Sequence, residues 1–294
     1  MIMLRRVRFG LFLACLAVLA PPSWGQEVSL ELKFKEGESR KAKVWNAIEV
    51  YSEGLPGGKY VQEETRILRR VTKKVHADGT ADIVVSHVDY SRTVNGEAVS
   101  LDASDGLSMF GLPVEVPLLV TLSKRGNILD IKPTKELRPS QKEAVERILE
   151  STKQERMDLP AKPVEPGHEW EYQVALSVDP PGGMGTLDLV IDTKATFAAV
   201  ETADGRRCAR IETAGKGLGA FDEAAGTLEM TSGSSTLLDL ERGLVVETTS
   251  EAEVLVVFSL PEGERTIRQV VKGSEKEIRA PGKPAKKAGK ENGA

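Results

Sequence analysis

The chain is poor in the residues that most often advertise chemistry. Its 294 residues include two cysteines, three histidines and three tryptophans, and aromatic residues make up only 5%. Cys15 lies in an N-terminal apolar stretch that reads as removable, which leaves Cys208 alone and excludes an intramolecular disulfide. Stability must then come from a packed core, which a 40% hydrophobic chain can supply and a disordered one cannot. Three histidines without H-E-x-x-H, C-x-x-C or H-x-H spacing gather no metal set in sequence. There is no excess of basic charge either. Forty Lys and Arg stand against 44 Asp and Glu, whereas nucleic-acid binders normally present a basic field.

Residues 1–25 read as a secretory signal peptide. Arg5, Arg6 and Arg8 form its positive start, Leu11–Ala20 its apolar stretch, and Pro21-Pro22 its end. Ser23-Trp24-Gly25 supplies small residues at the positions needed for cleavage before Gln26. The apolar run from Phe9 to Ala20 is short of the roughly 20 residues that span a bilayer. Leu13-Ala14 before Cys15 offers a lipid-anchored alternative, but apolar residues continue past Cys15, where a lipid-attachment site normally closes the run. Loss of the three arginines takes the net charge from −4 to about −7. The expected protein is exported, periplasmic or extracellular, and does not span the membrane after cleavage.

What is abundant is period-2 alternation. Val28, Leu30, Leu32 and Phe34 alternate with polar residues, as do Trp170, Tyr172, Val174, Leu176 and Val178. Successive strand side chains face opposite sides of a sheet, so each stretch has one apolar and one wet face. Further candidate strands are 43–51, 65–76, 80–91, 115–123, 127–132, 186–192, 194–202, 206–213, 226–232, 235–241, 244–250, 252–260 and 265–272. Asp78-Gly79, Asn95-Gly96, Arg125-Gly126, Asp204-Gly205 and Arg242-Gly243 separate such runs and supply the positive φ of tight hairpins. One helix is expected over 140–154. Ser140 and Glu143 form a capping box, and Ala144, Val145, Ile148, Leu149 and Thr152 share a face.

The fold class is therefore mainly β: antiparallel sheets in two weakly repeated halves with one connecting amphipathic helix. The repeat rests on Asp78-Gly79 and Gly126 recurring as Asp204-Gly205 and Gly243 at similar spacings. The divisions are a signal peptide (1–25), a first β-rich half (26–132), a helix-bearing connector (133–165), a second β-rich half (166–273) and a disordered basic tail (274–294). The tail is rich in lysine, glycine, alanine and proline and has little to bury.

A search for chemistry returns little. No G-x-S-x-G elbow presents a serine. Gly215-Lys216-Gly217-Leu218-Gly219 lacks the spacing of a phosphate loop and no helical pattern follows it. Asp102-Ala103-Ser104-Asp105-Gly106 is an incomplete calcium loop. His76, His87 and His168 read as turn and sheet residues, and Cys208 as a small strand residue that packs like an apolar one. No catalytic, cofactor or metal residue is named. The candidate ligand contacts are Leu107, Met109, Phe110 and Leu112, an apolar stretch of irregular period, together with Trp170. The same stretch also reads as a strand entering the core. A curved one-sided sheet leaves an apolar trough that can hold an acyl chain or be filled by its own side chains.

The pattern resembles a bacterial family of exported proteins with a domain of unknown function. The resemblance rests on Lys33-Phe34-Lys35-Glu36-Gly37-Glu38, Asp78-Gly79-Thr80-Ala81, Gly126-Asn127-Ile128, Leu159-Pro160, Gly167-His168-Glu169-Trp170 and Gly243-Leu244-Val245, and spans roughly 28–260. It implies a strand-rich exported protein and no particular activity. More distantly the architecture resembles periplasmic lipoprotein-carrier domains, in which a curved sheet wraps helices. The expectation is a non-enzymatic envelope module that binds a lipid or other apolar ligand, or another envelope protein. The alternatives are an envelope-polymer hydrolase and a protein–protein interaction module.

Overall fold

The alternating segments form twelve antiparallel strands in one sheet. The computed structural model describes residues 27–279 apart from 54–55, 102–105, 140, 143–144, 147–148, 150–151, 153–156, 179–186, 222–225 and 261–262. The signal peptide with Cys15, the incomplete calcium loop at 102–105 and residues 280–294 of the expected tail lie outside the described residues. The strands are β1 (Ser39–Tyr51), β2 (Lys59–Val75), β3 (Ala81–Val94), β4 (Glu97–Ala98), β5 (Leu118–Leu122) and β6 (Ile128–Pro133), followed by β7 (Glu169–Val178), β8 (Leu187–Ala203), β9 (Arg206–Phe221), β10 (Gly226–Asp239), β11 (Leu244–Leu260) and β12 (Gly263–Ile278). Their order is β6-β5-β3-β2-β1-β12-β11-β10-β9-β8-β7, with β4 paired to β3 alone. Each arm is a meander, and the arms join where β1 pairs with β12. The sheet is not closed, since β6 and β7 are not paired with each other.

The expected turns fall where glycine is required. Gly79, Gly96, Gly126, Gly205 and Gly243 all have φ between 61° and 85°. Such values cost a residue with Cβ free energy that glycine does not pay. Several expected boundaries move. The runs 186–192 and 194–202 fuse into β8, 226–232 and 235–241 into β10, and 244–250 and 252–260 into β11. The ladder continues through Thr193, Gly233, Ser234 and Glu251, for example with Ser234 opposite Ser250. β12 reaches Ile278, five residues into the segment that composition assigns to the tail. There Glu275 and Glu277 are held by Arg70 and Arg206, so ion pairs order what apolar burial does not.

The expected first strand is absent. Val28 bridges Val164, and Leu30 is buried. Leu32 donates its N–H to Lys124 O (2.7 Å) and Lys33 donates to Gly243 O (2.9 Å). Consecutive N–H groups go to hairpin turns of opposite arms, so no single ladder forms. The segment instead staples the β5–β6 turn to the β10–β11 turn. A second strap, from the connector, bonds the β5–β6 turn and packs Leu159 on Phe197, Ile211 and Leu238 of the other arm. Leu159 N–H donates to Arg125 O (3.0 Å), and the Arg125 guanidinium pairs with Asp158 (2.9 Å). The first of these ties links the two arms directly.

The expected helix is not shown as a continuous element. Pro139, Gln141, Lys142, Val145, Glu146, Leu149 and Thr152 have helical backbone, and the rest of 140–154 lies outside the described residues. Val145 and Leu149 are buried in a cluster with Leu118, Val120 and Ile131 of β5 and β6. A second cluster joins Leu30, Leu159 and Val164 to Phe197, Ile211 and Leu238, and a third joins Leu189, Ile191, Leu228, Val256 and Phe258. The outer face carries cross-strand ion pairs instead: Lys59–Glu49 (2.9 Å), Lys194–Glu169 (2.7 Å), Arg268–Glu253 (2.6 Å) and Lys276–Glu247 (2.8 Å). A strand barrel in lipid has the reverse arrangement, with apolar residues outside.

Candidate functional site

The inward row of each central strand mixes apolar with polar or charged residues. On β1 it carries Arg40, Ala42, Val44 and Asn46, opposite Arg70, Leu68, Arg66 and Glu64 of β2. On the other side of β1, Val44 faces Glu275 and Asn46 faces Gly273. The row continues through Thr248 and Ser250 of β11, Thr236 and Ser234 of β10, and Ile211 and Thr213 of β9.

This row floors a trough of three cavities that share walls. The first, of about 250 Å³, is lined by Leu32, Phe34, Val85, Leu122 and Ile128 among others, with Arg40 and Arg70 in its wall. The second, of about 370 Å³, runs from Arg70 and Glu275 past Val44, Asn46 and Thr248 to Met157. The third, of about 290 Å³, continues from Met157 and Thr248 to Tyr172, Ala195 and Ile211. Small residues keep the floor low. A Cβ on Gly273 would stand 2.8 Å from Ser250 Oγ, and one on Gly215 would stand 2.6 Å from Ser232 Oγ.

The charges in this floor are unevenly paired. Arg70 reaches across β1 to Glu275 in a two-pronged contact, with Nη2 donating to Oε2 at 2.7 Å and Nη1 to Oε1. The planar guanidinium fork fits a carboxylate in this way. Burial alone would raise the Glu275 pKa, but Arg70 outweighs it and holds the carboxyl below its ordinary value. Arg66 stands 3.4 Å from Glu64. Arg40 is the remaining cation. Among the described residues no carboxylate lies within 4.0 Å of its guanidinium, and burial lowers its pKa, with Glu38 opposing and Arg70 adding to the effect. Its nearest acids are committed elsewhere, Glu38 to Arg242 (2.9 Å) and Glu277 to Arg206 and Arg242.

The expected contacts do not converge on this trough. Leu107 and Leu112 pack on the cluster of β5 and β6, whereas Trp170 packs on the cluster of Phe197 and Ile211. Leu107 bridges Pro113, and Met109 donates its N–H to Glu64 Oε2 at 2.7 Å, so this stretch is a turn that caps a buried carboxylate. Phe110 at its tip is half-buried. Glu64 also accepts from Tyr90 Oη at 3.1 Å, and its side chain is fully enclosed. Beside it, burial first and Arg66 second push His87 down to about 4, while its Nδ1 bonds Val114 O (3.1 Å). His76 pairs with Asp82 (3.1 Å) and His168 stacks on Trp170 at 6.1 Å. Cys208 is fully buried, and that burial raises its thiol pKa. Gly215 and Gly217 lie inside β9, not in a loop.

Sequence reasoning missed Arg40, Arg66, Arg70 and Glu275. They look like ordinary wet-face charges until β12 is placed beside β1.

No family model and no curated protein matches this sequence. Among solved structures, the chain is similar to DynF from the dynemicin biosynthesis pathway of Micromonospora chersina, at 7% identity and a TM-score of 0.25 over 89% of this chain and 90% of that one. It is also similar to a mutant of Rh. blastica porin, at 12% identity and a TM-score of 0.22 over 82% of this chain and all of the porin. At these scores the likeness carries no argument about function.

Proposed function

We propose that this chain is an exported envelope protein that binds an apolar or amphipathic ligand, such as a lipid, in the trough and performs no chemistry on it. The observation that supports this reading is the trough itself. It is a set of adjoining cavities that together reach the size range of small-molecule sites, walled by Leu32, Phe34, Leu122, Ile128 and Met157 and floored by hydroxyls and arginines. Mostly apolar walls with a few placed polar groups are what an amphiphile needs: burial of its chain supplies affinity and the polar groups orient its head.

Native mass spectrometry of protein purified gently from the cell envelope tests the proposal. The expected spectrum shows one added mass of lipid size per chain, lost in Thr248→Trp, whose indole would stand in the second and third cavities. A bare mass in every preparation contradicts the reading.

A further inference from the structure

The trough's charge balance narrows the ligand. In its lining, two guanidiniums (Arg40 and Arg70) meet one carboxylate, Glu275. Arg40 and Arg70 stand directly opposite each other on neighbouring strands, and like charges so placed are unfavourable. Glu275 bonds Arg70 through both prongs of its guanidinium and reaches Arg40 only through its field. Arg40 keeps its donors beside an apolar cup made by Phe34, Val85, Val120, Leu122 and Ile128. A half-buried cation without a partner costs free energy, and an anion entering the cup would remove that cost.

Resting on the binding reading above, we propose that the ligand is a single-chain amphiphile with an anionic head, a carboxylate or phosphate monoester, and that Arg40 is its counter-ion. The alkyl chain then lies in the cup against Leu122 and Ile128, and the head takes the fork of the Arg40 guanidinium. A neutral head would leave Arg40 unpaired and gain only the burial of its chain.

Titration calorimetry of the unmodified protein at pH 7.5 with dodecanoate, monododecyl phosphate and dodecanol separates the possibilities. The expected result is that at least one anionic amphiphile binds roughly 10- to 100-fold more tightly than dodecanol. Arg40→Met should remove that advantage. The comparison of heads on the unmodified protein needs no variant, so a misfolded Arg40→Met leaves the test intact. Equal affinity for all three overturns the anionic-head proposal and leaves the binding reading standing. No binding of any of the three overturns both. Which anion binds better identifies the head.

Discussion

Arg70 and Glu275 lie 205 positions apart in sequence and form one unit in the fold. Removing one partner of this half-buried pair strands the other charge, and hydrogen bonds to charged groups are worth about 1.5–3 kcal/mol, whereas replacing both with apolar side chains is often nearly neutral. Urea unfolding of Arg70→Met should therefore show a loss of about 2 kcal/mol. The double variant Arg70→Met/Glu275→Met should recover most of it, and an additive double loss would contradict the pairing. His87 makes a second prediction. Its folded pKa is about 4, against about 6.5 in an unfolded chain. Between those values only the unfolded chain binds the proton, so stability falls as pH drops through this window, by up to about 3 kcal/mol. A series of urea midpoints from pH 7 to pH 4 should show this slope, and His87→Gln should flatten it.

At the scale of elements, the turns were legible and the site was not. A residue pair such as Asp204-Gly205 announces its conformation locally, because positive φ is a property of the residue. The row of Arg66, Leu68, Arg70 and Thr72 does not. Ile67 and Val71 are apolar on the opposite face, so alternation leaves open which face of β2 is inside. The segment 28–34 shows the converse. Its alternation is real as burial, but its hydrogen bonds go to two different turns, which no local pattern encodes. Gly243 is the close point of that staple: a Cβ there would stand 2.5 Å from Lys33 N, and φ is +61°. Gly243→Ala should lower stability by about 2–3 kcal/mol and speed amide exchange at Leu32 and Lys33. Gly96→Ala, at φ +85° with no neighbour within 4 Å, should cost only about 1 kcal/mol. Equal thermal shifts for the two variants would contradict the staple.

At the scale of the whole molecule, antiparallel sheet architecture follows from alternation, and the trough follows from curvature, which depends on contacts between distant segments. β1 pairs with β12 across more than 200 residues, and the segment 28–34 ties together hairpin turns of opposite arms. Those long-range choices place Arg40, Arg70 and Glu275 beside Leu122, Ile128 and Met157. The charged outer face and apolar inner clusters give the sheet its inside, and the cavities there are the only basis for the binding reading. An apolar fluorophore, N-phenyl-1-naphthylamine, reads those cavities directly in equilibrium titration. The account predicts saturable, blue-shifted emission at one site per chain, lost in a folded Thr248→Trp variant. Binding that is absent, or that persists unchanged in the folded variant, would contradict it.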